Sequence, residues 1–196
     1  MKIERSIYLK KLIDRQHNGM IKVITGVRRC GKSYLVFNLF YDYLKSQGVD
    51  NDHIIMVNLE SRRNIKLRNP DSLLDYIDSR MHDDNMYYIL LDEVQLVDEF
   101  EDVLNSYLSV PNADVYVTGS NAKFLSKDVI TEFRGRGDEV KIYPLSFSEY
   151  MSAYNGSQQR GLDDYMTYGG LPFILSLKSE EQKSTYLKNL FAETYI

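Results

Sequence analysis

Eight residues, Gly26-Val27-Arg28-Arg29-Cys30-Gly31-Lys32-Ser33, are spaced as GxxxxGK[ST]. Glycines in such a run let the backbone curl until successive N–H groups face one hollow, and a helix starting there adds the positive end of its dipole. That is a cradle for phosphates. Lys32 is the side chain long enough to reach the outer phosphates, the Ser33 hydroxyl is a ligand for Mg2+, and Tyr34 continues the binding stretch into the helix. The flanks suit the task. Ile21-Lys22-Val23-Ile24-Thr25 is a short β-prone stretch, and Tyr34-Leu35-Val36-Phe37-Asn38-Leu39-Phe40 is apolar enough to be a buried helix. Strand, glycine loop and helix in that order are the setting this loop requires.

A second motif ends the apolar run Met86-Tyr87-Tyr88-Ile89-Leu90-Leu91 in Asp92-Glu93. An aspartate at the carboxyl end of a strand beside the loop can hold Mg2+ through water, and the glutamate after it can orient and deprotonate a water for attack on a γ-phosphate. A whole strand–helix unit, residues 53–82, separates the two motifs, as in the ATPase branch with an extra strand and a catalytic glutamate. No Asn-Lys-x-Asp signature for guanine occurs, so ATP is the expected nucleotide. Thr118-Gly119-Ser120-Asn121 ends the next strand, where Asn121 or Ser120 would face the γ-phosphate and the attacking water; either would serve equally as a helix N-cap. Phe133-Arg134-Gly135-Arg136-Gly137 places two arginines between glycines, suited to a mobile loop that neutralises phosphate charge in cis or, from a neighbouring subunit, in trans.

The elements that position these residues follow from periodicity. Strands are expected at 21–25, 53–60, 86–93, 113–120 and 140–143, with helices at 7–16, from the loop to about residue 46, at 71–81 and at 99–108. Strands alternating with helices imply a parallel sheet covered on both faces. From residue 146 the pattern turns helical, which divides the chain into a nucleotide-binding core over 1–145 and a helical subdomain over 146–196. In the last stretch Tyr186, Leu187, Leu190, Phe191, Thr194 and Tyr195 form a one-sided stripe expected to pack on the core or on another copy, in a helix expected to lead into a further domain.

Composition narrows the class. A formal charge of −4 argues against a protein that coats nucleic acid, and Arg62, Arg63, Lys66 and Arg68 lack the interleaved aromatics of a stacking surface. One cysteine excludes an internal disulfide, and three scattered histidines offer no metal-ligand spacing. No stretch approaches a membrane span and the start is not a signal peptide, so the cytoplasm is the expected location.

Taken together, Thr25-Gly26-Val27-Arg28-Arg29-Cys30-Gly31-Lys32-Ser33, Leu91-Asp92-Glu93-Val94-Gln95, Thr118-Gly119-Ser120-Asn121, Arg134-Gly135-Arg136, Tyr143-Pro144-Leu145-Ser146-Phe147-Ser148-Glu149-Tyr150 and Tyr168-Gly169-Gly170-Leu171-Pro172 resemble a family of prokaryotic AAA+-related, STAND-like ATPases. Their phosphate loop reads T-G-x-R-R-x-G-K, and they carry a C-terminal domain of unknown function. The resemblance implies an α/β P-loop NTPase fold: a parallel five-stranded sheet, expected order 5-1-4-3-2, sandwiched by helices, with a small C-terminal helical subdomain. It implies ATP hydrolysis with Mg2+, a role for Pro172 near the adenine, and a switch or motor acting on a missing C-terminal domain or another protein, with a homo-oligomer as one form. A nucleic-acid-dependent ATPase and a non-hydrolysing nucleotide-binding module are the alternatives.

Overall fold

The apolar runs become β1 (Ile21–Gly26), β2 (Ile54–Asn58), β3 (Tyr87–Asp92), β4 (Ala113–Thr118) and β5 (Gly137–Ile142) of a computed structural model that describes residues 3–119, 133 and 135–195. All pair in parallel, in the order β2-β3-β4-β1-β5. That is the expected order, counted from the opposite edge. β1, β3 and nearly all of β4 are buried, as central strands covered on both faces must be.

Side-chain alternation sorts the strands' residues into two packing layers. Ile21, Val23, Ile55, Val57, Tyr87, Ile89, Leu91, Val115 and Val117 point into one core with α4 (Pro70–Asp78) and α5 (Phe100–Tyr107), through Leu73, Ile77, Phe100, Val103 and Leu104. Burying one such side chain fully contributes about 1.5–3 kcal/mol. The intervening residues, among them Lys22, Tyr88, Asp114 and Tyr116, lie on the other face, where Phe40 packs with its ring centroid 4.5 Å from that of Tyr116. Phe40 ends a helical run made of α2 (Lys32–Tyr34), a π-helical segment (Leu35–Phe40) and α3 (Tyr41–Ser46). The π segment is a departure from the plain α-helix expected there. α1 (Ser6–Ile13) precedes β1 and buries Leu12. The basic run is a 3-10 helix, Arg62–Arg68.

The chain divides into two compact units: Ser6–Arg28 with Lys32–Ile142, and Met1–Arg5 with Arg29–Gly31 and Tyr143–Ile196. The smaller unit contains α6 (Phe147–Met151), α7 (Gln158–Tyr168), a 3-10 turn (Pro172–Ser176) and α8 (Glu180–Tyr195). Its core is Ile3, Leu145, Tyr150 and Ile174. Gly170 sits so close to Leu145 that a Cβ there would lie 2.2 Å from the Leu145 carbonyl oxygen, so no larger residue fits without a backbone shift. Tyr186 and Leu187 of the α8 stripe pack against this unit's own core, whereas Phe191 is 59% exposed. Among the described residues no helix is long and apolar enough to cross a membrane.

Candidate nucleotide site

Parallel pairing brings the carboxyl ends of β1, β3 and β4 together. Gly26 ends β1, Asp92 ends β3 and Thr118 ends β4. Because Leu91 is in register with Val117, Asp92 falls beside Thr118, whose hydroxyl donates to Asp92 Oδ1 at 2.6 Å. The Ser33 hydroxyl, from the first turn after the loop, also hydrogen-bonds to the Asp92 carboxylate. Burial pushes the Asp92 carboxyl above its usual range, partly offset by the hydrogen bonds from Thr118 and Ser33 and the positive charge of Lys32, while Glu93 adds to the rise. A carboxylate this poorly solvated beside a hydroxyl is a hard oxygen pair suited to a divalent cation, which would stabilise its charge. Ser33 and Asp92 therefore fit the part of Mg2+ holders.

Lys32 is 4% exposed and donates from Nζ to the main-chain oxygens of Gly26 at 3.0 Å and Val27 at 3.2 Å. Its ammonium is thus curled back over the start of the loop. Val27, Arg28 and Arg29 are exposed, and Tyr34 is half-buried. Arg29 has φ +64°, an uncommon conformation for a residue with a side chain. Its guanidinium lies 3.8 Å from Glu193 and 5.4 Å from the ring of Tyr186. Cys30 is fully buried. Gly31 has φ +102°, which favours glycine, and the Pro172 ring lies 3.8 Å from where a Cβ on Gly31 would stand.

Glu93 leaves β3 in a left-handed conformation, φ +57°, that swings its side chain off the strand line. Its N–H donates to Thr118 Oγ1 at 3.1 Å, and its carboxylate accepts from the Gln95 side-chain amide. Thr118 therefore ties both acidic residues of the motif to β4. Ser120, Asn121 and Arg134 lie outside the described residues. Arg136 is exposed, and its carbonyl accepts from the Ile21 N–H at 2.9 Å, at the start of β1. The two ends of a six-residue strand are roughly 17 Å apart, farther than an arginine side chain spans, so Arg136 does not converge with Gly26 in the same copy.

Two further residues contribute, Thr118 and Gln95. Thr118 stands in the T-G-S-N run, where Ser120 and Asn121 carry the same polar signal. Gln95 was visible only as part of the motif, with no signal for its bond to Glu93.

Residues 18–151 match the model of the AAA domain family. The chain belongs to that family. An uncharacterised protein of Haemophilus influenzae is 37% identical over 195 residues, covering 96% of this chain and 48% of its own length. One of Methanocaldococcus jannaschii is 30% identical over 200 residues, covering 95% and 42%. The chain thus spans about half the length of these curated relatives. Among solved structures, AMPPCP-bound DnaA from Aquifex aeolicus is similar with a TM-score of 0.54 at 14% identity, over 95% of this chain and 60% of that one. That likeness is one of fold. This AAA domain chain presents its polar cluster at the carboxyl edge of the sheet, where open α/β sheets bind ligands.

Proposed function

We propose that the chain is the ATPase part of a nucleotide-controlled switch or motor, hydrolysing ATP with Mg2+. The observation that carries the reading is the convergence of Ser33, Asp92 and Thr118 at one strand-end cluster, with Lys32 and Glu93 on the elements that adjoin it. The backbone amides of residues 27–33 and the Lys32 ammonium would hold the phosphates, a preorganised set of positive dipoles aimed where negative charge develops. Mg2+, when bound at Ser33 and Asp92, would neutralise charge on the β- and γ-phosphate oxygens. Glu93 would take the proton of the attacking water as its oxygen bonds to the γ-phosphorus and the bond to the β-phosphate oxygen breaks, giving ADP and inorganic phosphate. Pro172, beside Gly31 in the smaller unit, would sense the occupancy of the loop.

The position of Arg136 at the amino-terminal end of the sheet favours action in trans, and with it a homo-oligomer. The matched region is about half of each relative, which leaves length for a further domain to receive the nucleotide signal; on the STAND-like reading that domain lies on the C-terminal side. DnaA in its AMPPCP-bound form supports a triphosphate as ligand.

Titration of wild type and Lys32→Ala with AMPPCP and with adenosine tests the reading. Loss of the ammonium should weaken AMPPCP roughly 100-fold and leave adenosine unchanged, because charge-assisted contacts to phosphate are among the strongest polar ones. Equal AMPPCP affinities would defeat the assignment.

A further inference from the structure

We propose that Arg5 is a positioning residue of the nucleotide site: it fixes the Cys30–Gly31 peptide plane so that the Gly31 N–H is aimed away from the arginine, ready to donate to a phosphate oxygen. The inference rests on the phosphate-loop reading and adds a residue that lies outside every motif.

Arg5 is 4% exposed and sits at φ +47°, a backbone conformation that a residue with a side chain holds only when its surroundings fix it. Its guanidinium is engaged on three sides. Nη1 donates to the Cys30 carbonyl at 3.1 Å, Nη2 donates to the Tyr143 carbonyl at 2.7 Å, and Nε lies 3.1 Å from Glu149 Oε1. A planar fork with fixed donor directions can serve two carbonyl acceptors while its charge faces a carboxylate, which an ammonium on a flexible stem cannot do with the same rigidity.

Glu149 is itself fixed. Its other oxygen, Oε2, accepts the Ser146 N–H at 2.8 Å, and Ser146 Oγ accepts the Glu149 N–H at 3.2 Å, a reciprocal cap at the start of α6. One carboxylate oxygen thus belongs to the helix cap and the other to the arginine. The order of support runs from the α6 cap to Glu149, to Arg5 and to the Cys30 carbonyl.

The last link is peptide geometry. In a trans peptide the C=O and the following N–H point in opposite directions. Holding Cys30 C=O on Arg5 therefore turns Gly31 N–H to the other side. This plane needs holding more than its neighbours do, because glycine accepts both signs of φ at little cost. A flip would present a carbonyl where the phosphate requires a donor.

The test compares wild type, Arg5→Ala, Arg5→Lys and Lys32→Ala, each labelled with 15N-glycine and titrated with AMPPCP and with adenosine. In wild type the Gly31 amide resonance should move on addition of AMPPCP. Arg5→Ala should weaken AMPPCP about ten-fold, the scale of one mis-aimed donor to a charged acceptor, abolish the Gly31 response and leave adenosine binding where it was. Arg5→Lys, which keeps the charge without the fork, should fall between. Wild-type affinity together with a wild-type Gly31 response in Arg5→Ala would overturn the inference. Should Arg5→Ala not fold, the same unchanged pair of readouts in Arg5→Lys would overturn it. If Lys32→Ala also binds AMPPCP normally, the phosphate-loop reading fails; if only Lys32→Ala loses binding, that reading stands and the role of Arg5 falls.

Discussion

At the amino-terminal ends of β1 and β4 the Lys22 ammonium meets the Asp114 carboxylate, both buried, and at the carboxyl ends of β3 and β4 Asp92 meets Thr118 and Ser33. The first cluster is closed. Lys22 Nζ also donates to Met20 O at 2.8 Å and approaches Asn18 Oδ1 at 3.5 Å, while Asp114 Oδ2 accepts from the Tyr116 hydroxyl at 3.0 Å and the His17 N–H at 3.3 Å. The second keeps capacity in reserve. Lys32 donates to neutral carbonyls, and Gln95, whose amide nitrogen is given to Glu93, has a buried Oε1 with no hydrogen-bond partner among the described residues. A satisfied buried network can fix strand register and do no chemistry, whereas unfilled polar capacity costs stability unless a ligand completes it. One sheet thus carries a lock at one edge and, on the proposed reading, a workplace at the other.

The largest effect that would sharpen this contrast is expected from Glu93→Gln. Glutamine keeps the size of the side chain but cannot accept the proton, so turnover should fall about 100-fold or more while AMPPCP affinity and Tm stay near wild type. Phosphate-release assays beside a binding titration separate the two. An active Glu93→Gln protein would move the base elsewhere and erase the distinction between the two edges.

Asp114→Asn should do the reverse: much stability lost, with AMPPCP affinity retained in the folded fraction. Burial already pushes the Lys22 ammonium below its usual range against the pull of Asp114, so removing the partner leaves a buried charge poorly compensated. Breaking such a pair costs about 3–5 kcal/mol, or about 10 °C in Tm for a chain of this size. Replacing both partners by apolar residues, Lys22→Met with Asp114→Val, should recover most of the loss. Thermal unfolding of the three proteins decides it, and an Asp114→Asn variant as stable as wild type would show that the closed cluster locks nothing.

The two clusters were unequally legible in the sequence. Gly26 to Ser33 and Asp92-Glu93 carry their chemistry in local spacing, so the loop, the strands beside it and the candidate ligands are legible in the sequence alone. Sheet order came from the resemblance and agrees with the structure. Lys22 was read as one residue of an apolar strand, because its partner lies 92 residues away and only parallel register brings them together. Arg5 was invisible for the same reason, its acceptors Cys30 and Tyr143 lying 25 and 138 residues on. The strand expected to run through Ser120 ends at Thr118, and it is this threonine, set by register against Leu91 and Asp92, that holds the acidic pair. Backbone conformation was also hidden, since nothing local announces the left-handed turn at Glu93 or the π-helical segment after the loop.

The smallest effect has the most telling sign. Asp92→Asn is the same chemical change as Asp114→Asn at the opposite edge, and it should stabilise the nucleotide-free protein. Burial raises the carboxyl of Asp92 above the usual value of 3.8, so near neutral pH the folded chain carries an ionised group it would hold more cheaply as the acid. A carboxyl whose folded pKa is raised leaves the native state with more bound protons than the unfolded chain, and stability falls as pH climbs from the unfolded value through the folded one. Asparagine removes that penalty while still accepting from Thr118. At pH 7 without Mg2+, Tm should rise by about 2–4 °C, equivalent to roughly 1 kcal/mol. The advantage over wild type should shrink as the pH is lowered through the raised pKa of Asp92, where the carboxyl takes up its proton, and the Mg2+-dependent part of AMPPCP binding should be lost throughout. Differential scanning fluorimetry across that pH range reads the sign directly. A variant that melts below wild type, or an advantage that does not change with pH, would mean that Asp92 is held as firmly as Asp114 and that the second cluster is another lock.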